Sequence, residues 1–119
     1  MEKRYTAKVP ASLTQRLYEA GMPLKVNTDY EVNKFTNKVD KKLDIEPPSY
    51  AKTLDWLASK NLIVHVYSFP CWRGEYVTTK FNITIYNEKT HNANPSPTYD
   101  YLTWQEAADY GIEKAIEML

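Results

Sequence analysis

Cysteine occurs once in this chain, at Cys71, so no internal disulfide can form and a reducing compartment is the simplest setting. Glycine is almost as scarce, with three in 119 residues. Neither Gly-x-Gly-x-x-Gly nor Gly-Lys-Ser/Thr occurs, which excludes the common phosphate-cradling loops. No apolar run approaches the roughly 18 to 20 residues needed to span a bilayer. The opening Met-Glu-Lys-Arg-Tyr leads into no apolar segment of the secretory type. The expectation from these absences is a cytoplasmic protein without a membrane partner. An excess of one charge is missing too, because fifteen basic residues balance fifteen acidic ones. Domains that clamp nucleic acid through its phosphates carry a basic excess, so neutrality argues against that partner without excluding a local basic patch. It also removes the repulsion that would keep copies of the chain apart, which leaves self-association open.

What the chain does have is tyrosine: ten, with three tryptophans, against three phenylalanines. Tyr and Trp combine an apolar body with a polar tip and suit surfaces that are half buried or await a protein partner. A small β-rich domain that places Tyr on its strands accounts for the same composition. With 43% hydrophobic and 25% charged residues, the usage is that of a globular protein, and the length suits one core with at most a small appended unit.

Punctuation residues divide the chain. Residues 9–23 read as a short helix, with Ser12 and Gln15 spaced as a capping box and Gly21 and Pro23 as stops. Leu24-Lys25-Val26 and Tyr30-Glu31-Val32, separated by Asn27-Thr28-Asp29, can pair as a small hairpin. Asn37 to Glu46 is polar and weakly periodic and reads as a linker ending at Pro47-Pro48. Ser49 then caps a helix running to about Lys60, with Tyr50, Ala51, Leu54, Leu57 and Ala58 on one face. Trp56 falls on the opposite face, near Thr53 and Lys60, where either the N-terminal segment covers it or it is exposed.

Leu62 to Phe69 reads as a strand, residues 70–75 as a turn-rich connection, and Tyr76 to Tyr86 as a longer alternating strand. Val77, Thr79, Phe81, Ile83 and Ile85 share one face of the second strand, and Tyr76, Thr78, Lys80, Asn82, Thr84 and Tyr86 share the other. Asn87 to Pro97 is loop by composition, and Thr98 to Leu102 is a candidate third strand. The last helix opens on a Thr103/Glu106 capping box and carries an apolar stripe of Trp104, Ala108, Gly111/Ile112, Ala115 and Leu119. Ala107, Gly111 and Ala115 are small enough to bring that helix close to the sheet. The expected fold is therefore α+β: a two- to three-stranded antiparallel sheet packed by two helices (α-β-β-(β)-α), with an N-terminal helix and small hairpin. Residues 1–46 hold the N-terminal helix, hairpin and linker and residues 47–119 the core, within one compact domain.

The search for chemistry returns little. His65 and His91 belong to no metal-ligand pair, and Cys71 has no second thiol beside it, so no metal or cofactor is expected. Cys71 and His65, six residues apart across a strand end, do not make a recognised nucleophile–base arrangement. Glu106, Asp109, Glu113 and Glu117 read as a solvated helix face with Lys114. No catalytic residue is assigned. The candidates for binding are Trp56, Trp72, Arg73, Tyr76, Lys80 and Tyr86. A Trp beside an Arg at a hairpin tip has hot-spot composition for protein or nucleobase contacts, unless the Trp folds back over the hairpin edge. Lys80 with Tyr76 and Tyr86 makes a polar-aromatic face that can stack bases or be merely solvated.

Two resemblances frame these readings. The stretch Ser49-Tyr-Ala-Lys-Thr-Leu-Asp-Trp-Leu57, the aromatic strand pair, and Leu102-Thr-Trp-Gln-Glu-Ala-Ala-Asp-Tyr-Gly-Ile-Glu-Lys-Ala-Ile-Glu-Met-Leu119 resemble a family of short uncharacterised proteins. These come from prophages and mobile elements of Bacteroides-type gut bacteria, and Leu13 to Met22 also fits their first helix. The resemblance brings no established activity with it. The enrichment in Tyr and Trp, the zero net charge and the empty catalytic inventory motivate the expectation of a non-enzymatic accessory protein of a phage or mobile element acting through protein contacts. The order helix, strands, helix is also similar to that of double-stranded-RNA-binding domains. Thr103-Trp-Gln-Glu-Ala stands where those domains place lysines, so only the topology carries over.

Overall fold

A computed structural model of the chain describes residues 5–95 and 100–119, with the side chain of Lys42 also outside the described part. Among the described residues three helices, α1 (Ala11–Glu19), α2 (Tyr50–Ser59) and α3 (Trp104–Glu117), combine with five strands. β1 (Val26–Val32) and β2 (Val39–Ile45) form one antiparallel pair; β3 (Leu62–Arg73), β4 (Tyr76–Asn87) and β5 (Asn92–Pro95) form a second sheet in that order. The fold is α+β, as its patterning implies.

Local chemistry explains most boundaries. α1 does not use the Ser12 cap: Pro10 already holds the extended cap position, which puts Ser12 inside the first turn. Gln15 donates instead to Glu19, and the Thr14 hydroxyl donates back to the Pro10 carbonyl at 3.0 Å. The end of α1 depends on Gly21 at φ +101, which lets its own N–H bond Tyr18 and the Met22 N–H bond Leu17, the paired bonds of a glycine-terminated helix. Met22 thereby turns back into the core beside Leu17.

The first hairpin differs from its expectation. Asn27-Thr28-Asp29 is mid-strand rather than turn, and most of the polar stretch 37–46 is β2 rather than linker. The reversal lies at Asn33 to Lys38, where Asn33 bonds both the Lys38 carbonyl and the Phe35 N–H, and Asn37 adopts φ +56. The alternation was hidden because Lys41 occupies an apolar-face position, opposite Tyr30.

Ser49 caps α2, accepting from the Lys52 N–H at 3.2 Å. Thr103 caps α3 by accepting from Glu106 at 3.1 Å. Thr53, expected on the outer face of α2, is fully buried and satisfied by donating to the Ser49 carbonyl at 2.9 Å. Trp56 beside it is half-buried.

β3 and β4 run as a single hairpin through residues 70–73, so the expected connection shrinks to Gly74 and Glu75. The alternation of the flanking strands carries pairing past Pro70 and Cys71, and Gly74 at φ +60 makes the tight reversal. β5 forms within the stretch read as loop, because the free side of β4 offers paired donors and acceptors to Asn92–Pro95 despite their turn-like composition. The candidate third strand reduces to a bridge between Tyr101 and Phe81 on that same side; Thr98 and Tyr99 lie outside the described residues.

Every buried residue of the larger sheet (Leu62, Val64, Ile83, Ile85) lies on one face, and α2 and α3 cover it. A Cβ on Gly111 would sit 2.6 Å from Val64 Cγ1, so this glycine sets how closely α3 approaches the sheet. Val9, Leu13, Leu17 and Met22 enter the same core, which joins α1 to the residues after Pro47. Leu119, expected in the apolar stripe of α3, is exposed beyond the helix end. No helix among the described residues is long and apolar enough to cross a membrane.

Candidate interaction surface

Burial along the long hairpin falls from base to tip. Each strand has twelve residues, or about 40 Å at ~3.3 Å per residue, while the helices cover only the base. The molecule is drawn out to 64 × 38 × 26 Å. Past Phe69 the hairpin stands clear of the body, and Trp72, Tyr76 and Val77 are 68%, 80% and 50% exposed.

Strand alternation sorts the candidate residues. Trp72 lies opposite Val77 on the face that continues the core, whereas Arg73 lies opposite Tyr76 on the open face. The two neighbours therefore point to opposite sides, and the tip offers two surfaces instead of one Trp–Arg spot. Trp72 does not fold into a buried site. Lys80 and Tyr86 share the open face with Tyr76, as the pattern of β4 implies. These three extend from tip to base, since Tyr76 and Tyr86 are ten positions, about 33 Å, apart. Lys80 lies within 3.9 Å of Asp100, and the Tyr86 hydroxyl is 3.0 Å from His91 Nδ1. Trp56 belongs elsewhere: it packs against the core from α2, with Lys60 Nζ 5.8 Å from its ring centre.

The open face also has residues that the sequence reading missed. His65, Tyr67 and Phe69 form a row on β3, with ring centres 5.8 Å and 6.3 Å apart and the first pair stacked within 20°. Their period of two was the signal, and it was already present within the strand read from Leu62 to Phe69. Cys71 lies on the same face six positions from His65, about 20 Å away, so the two cannot act as a nucleophile–base pair.

A second feature lies between α1 and α3. A groove of about 480 Å³ is lined by Arg16, Tyr101, Glu106, Asp109, Tyr110 and Glu113 among others. Arg16 answers two of the α3 carboxylates, at 2.9 Å to Glu113 and 3.9 Å to Glu117. Asp109 is not simply solvated: the Tyr50 hydroxyl donates to it at 2.6 Å, tying α2 to α3. Burial raises the Asp109 pKa above the ordinary carboxylate value; the Tyr50 hydrogen bond opposes this and the Glu106 charge adds to it. Burial, helped by the hydrogen bond to Asp109 and by its charge, pushes the Tyr50 hydroxyl well above the usual tyrosine range. Among the described residues no group of three or more His, Cys, Asp or Glu side chains could hold a metal ion. No family model, curated protein or solved structure matches this chain.

Proposed function

We propose that this chain is a non-enzymatic accessory protein of a phage or mobile element that works in the host cytoplasm through protein–protein contacts. The observation that carries the reading is the hairpin tip, where Trp72, Tyr76 and Val77 stand in solvent beyond the reach of the helices. Large aromatic side chains held on a hydrogen-bonded hairpin give much contact area, the composition of a binding hot spot. The neutral chain and the absence of a catalytic motif from its sequence support it further, and the sequence resemblance supports the mobile-element origin. Cross-linking mass spectrometry of the tagged protein in host extract tests the reading. The expected result is a partner cross-linked near residues 70–77 and lost from the Trp72→Ala and Tyr76→Ala variants. Capture unchanged in both variants, or no capture, overturns it.

One observation favours a second reading, nucleic-acid binding. The stacked row of His65, Tyr67 and Phe69 lies beside Lys80 and Arg73, and bases can stack on such a row while cations meet phosphates. It stands second because the chain has no net positive charge and Lys80 already has Asp100 close by. Fluorescence anisotropy at low salt, with single- and double-stranded probes, separates the readings: binding that weakens with salt and with Arg73→Ala or Lys80→Ala supports this one.

A further inference from the structure

We propose that the outer edge of β3 pairs with the same edge of a second copy of this chain, joining two three-stranded sheets into one six-stranded sheet. The inference is independent of the tip reading, because it uses the main chain of a different stretch. β3 is the outer strand of its sheet, and among the described residues no main-chain bond reaches its free side. Which groups point outward follows from the opposite side of β4. Phe81 exchanges both of its main-chain bonds with Tyr101, at 2.7 and 2.9 Å, so it turns away from its partner Ser68. Ser68 therefore directs its N–H and C=O to the free edge, and by alternation so do Val64 and Val66. Pro70 is the next residue in that series. It has no N–H to offer, which is consistent with an outward position and ends the run of outward donors before the tip.

Exposed edges are normally protected by charge, proline or bulges. The other hairpin follows that rule, with Asp29 and Glu31 on β1 and Asp40, Lys41 and Asp44 on β2. From Leu62 to Trp72 β3 has no Asp, Glu, Lys or Arg, and Pro70 guards only its outer part. A second copy suits the unprotected stretch better than any other occupant. Antiparallel pairing of one strand with itself is a two-fold operation and closes at two copies. The neutral chain puts no net charge against its partner. An axis at Val66 sets Val64 opposite Ser68 of the second copy and uses every outward donor of residues 64–68, giving about six new main-chain hydrogen bonds. The same register lays His65 across from Tyr67 on the open face, on both sides of the axis, and so joins the two aromatic rows into one.

Sedimentation equilibrium of the full chain from low to high micromolar concentration tests the proposal, with amide hydrogen exchange read at both ends. The expected result is a monomer–dimer equilibrium in which the Val64, Val66 and Ser68 amides gain protection as the dimer forms. Ser68→Pro removes one outward donor per chain without touching the β3–β4 ladder, and His65→Lys puts a cation on the open face next to the axis. Each is expected to raise the dimer Kd about tenfold or more while circular dichroism stays unchanged. A strict monomer at every concentration overturns the proposal. So does a dimer whose protection falls on β1 and β2, or one that both variants leave intact. Should a variant fail to fold, exchange in the unaltered chain still decides the matter.

Discussion

The two hairpins share one pattern and meet opposite fates. In β1–β2, Val26, Thr28, Tyr30 and Val32 face the same side as Ile45, Leu43, Lys41 and Val39, while Asn27, Asp29, Glu31, Asp40 and Asp44 face the other. In β3–β4 the apolar side is likewise continuous, from Leu62 and Ile85 at the base to Trp72 and Val77 at the tip. At its base Ile83 and Ile85 are 1% and 2% exposed, whereas Tyr30, Val32 and Val39 of the short hairpin are all well over half exposed. The difference is not in the strands. Helices α2 and α3 lie against one hairpin, whereas the other meets α1 at a few residues near the Ile45 end of β2, so what faces an alternating strand decides whether its apolar side becomes core or surface. Within the long hairpin the same contrast runs along one element, and the tip resembles the short hairpin more than it resembles its own base.

If this comparison is right, equal truncations should have unequal costs. Ile85→Ala at the base should remove about 2–5 kcal/mol of stability, whereas Val77→Ala, on the same face near the tip, should stay within about 0.5 kcal/mol. Chemical denaturation of both variants checks this, and similar losses would break the contrast. The next effect concerns how the base is covered. Gly111→Ala gains helix propensity, yet its Cβ meets Val64 at 2.6 Å, so a net loss of about 1–3 kcal/mol is expected. Adding Val64→Ala makes room, and the double variant should lose less than the sum of its parts. The smallest effect is a pH dependence confined to the covered half. The Tyr50 pKa is raised in the folded chain, so its contribution holds below the ordinary tyrosine value and fades as pH rises through the folded value. Asp109 is raised as well, so its contribution is fullest when protonated and is lost as pH rises through its folded value. Thermal melts should show a fall at alkaline pH that Tyr50→Phe flattens. Asp109→Asn, which keeps the acceptor, should gain stability near neutral pH and lose that advantage below the carboxylate range.

How much was legible depended on whether the cause was local. α3 and the Ser49 cap were readable because capping residues and a small-residue stripe act within a few positions. The faces of β4 were readable because alternation is a property of the strand itself. β2 was not, since Lys41 interrupts its apolar side, and residues 70–73 were not, since Pro70 and Cys71 resemble a turn until the ladder of β4 is set beside them. β5 exists because β4 has a free side, which nothing in Asn92-Ala-Asn-Pro95 announces. The candidate binding residues divided the same way. Tyr76, Lys80 and Tyr86 fell on one face as expected, and the His65–Tyr67–Phe69 row was legible in the alternation of the expected strand, while the separation of Trp72 from Arg73 needed the true length of β3.

The short main-chain clasps near the start of the chain have a consequence for how this protein can change. Val9 bonds the Pro48 carbonyl and Tyr50 bonds the Ala7 carbonyl, so the chain leaves and returns to one place between residues 9 and 48. Inside that excursion, the bond from Glu46 to the Lys25 carbonyl closes a second neck around β1 and β2. The hairpin is thus a detour within a detour, tied off at its root. Its sequence can drift, lengthen or be exchanged wholesale while the closed neck keeps the surrounding architecture in register, which makes it the part of the molecule best placed to diversify quickly.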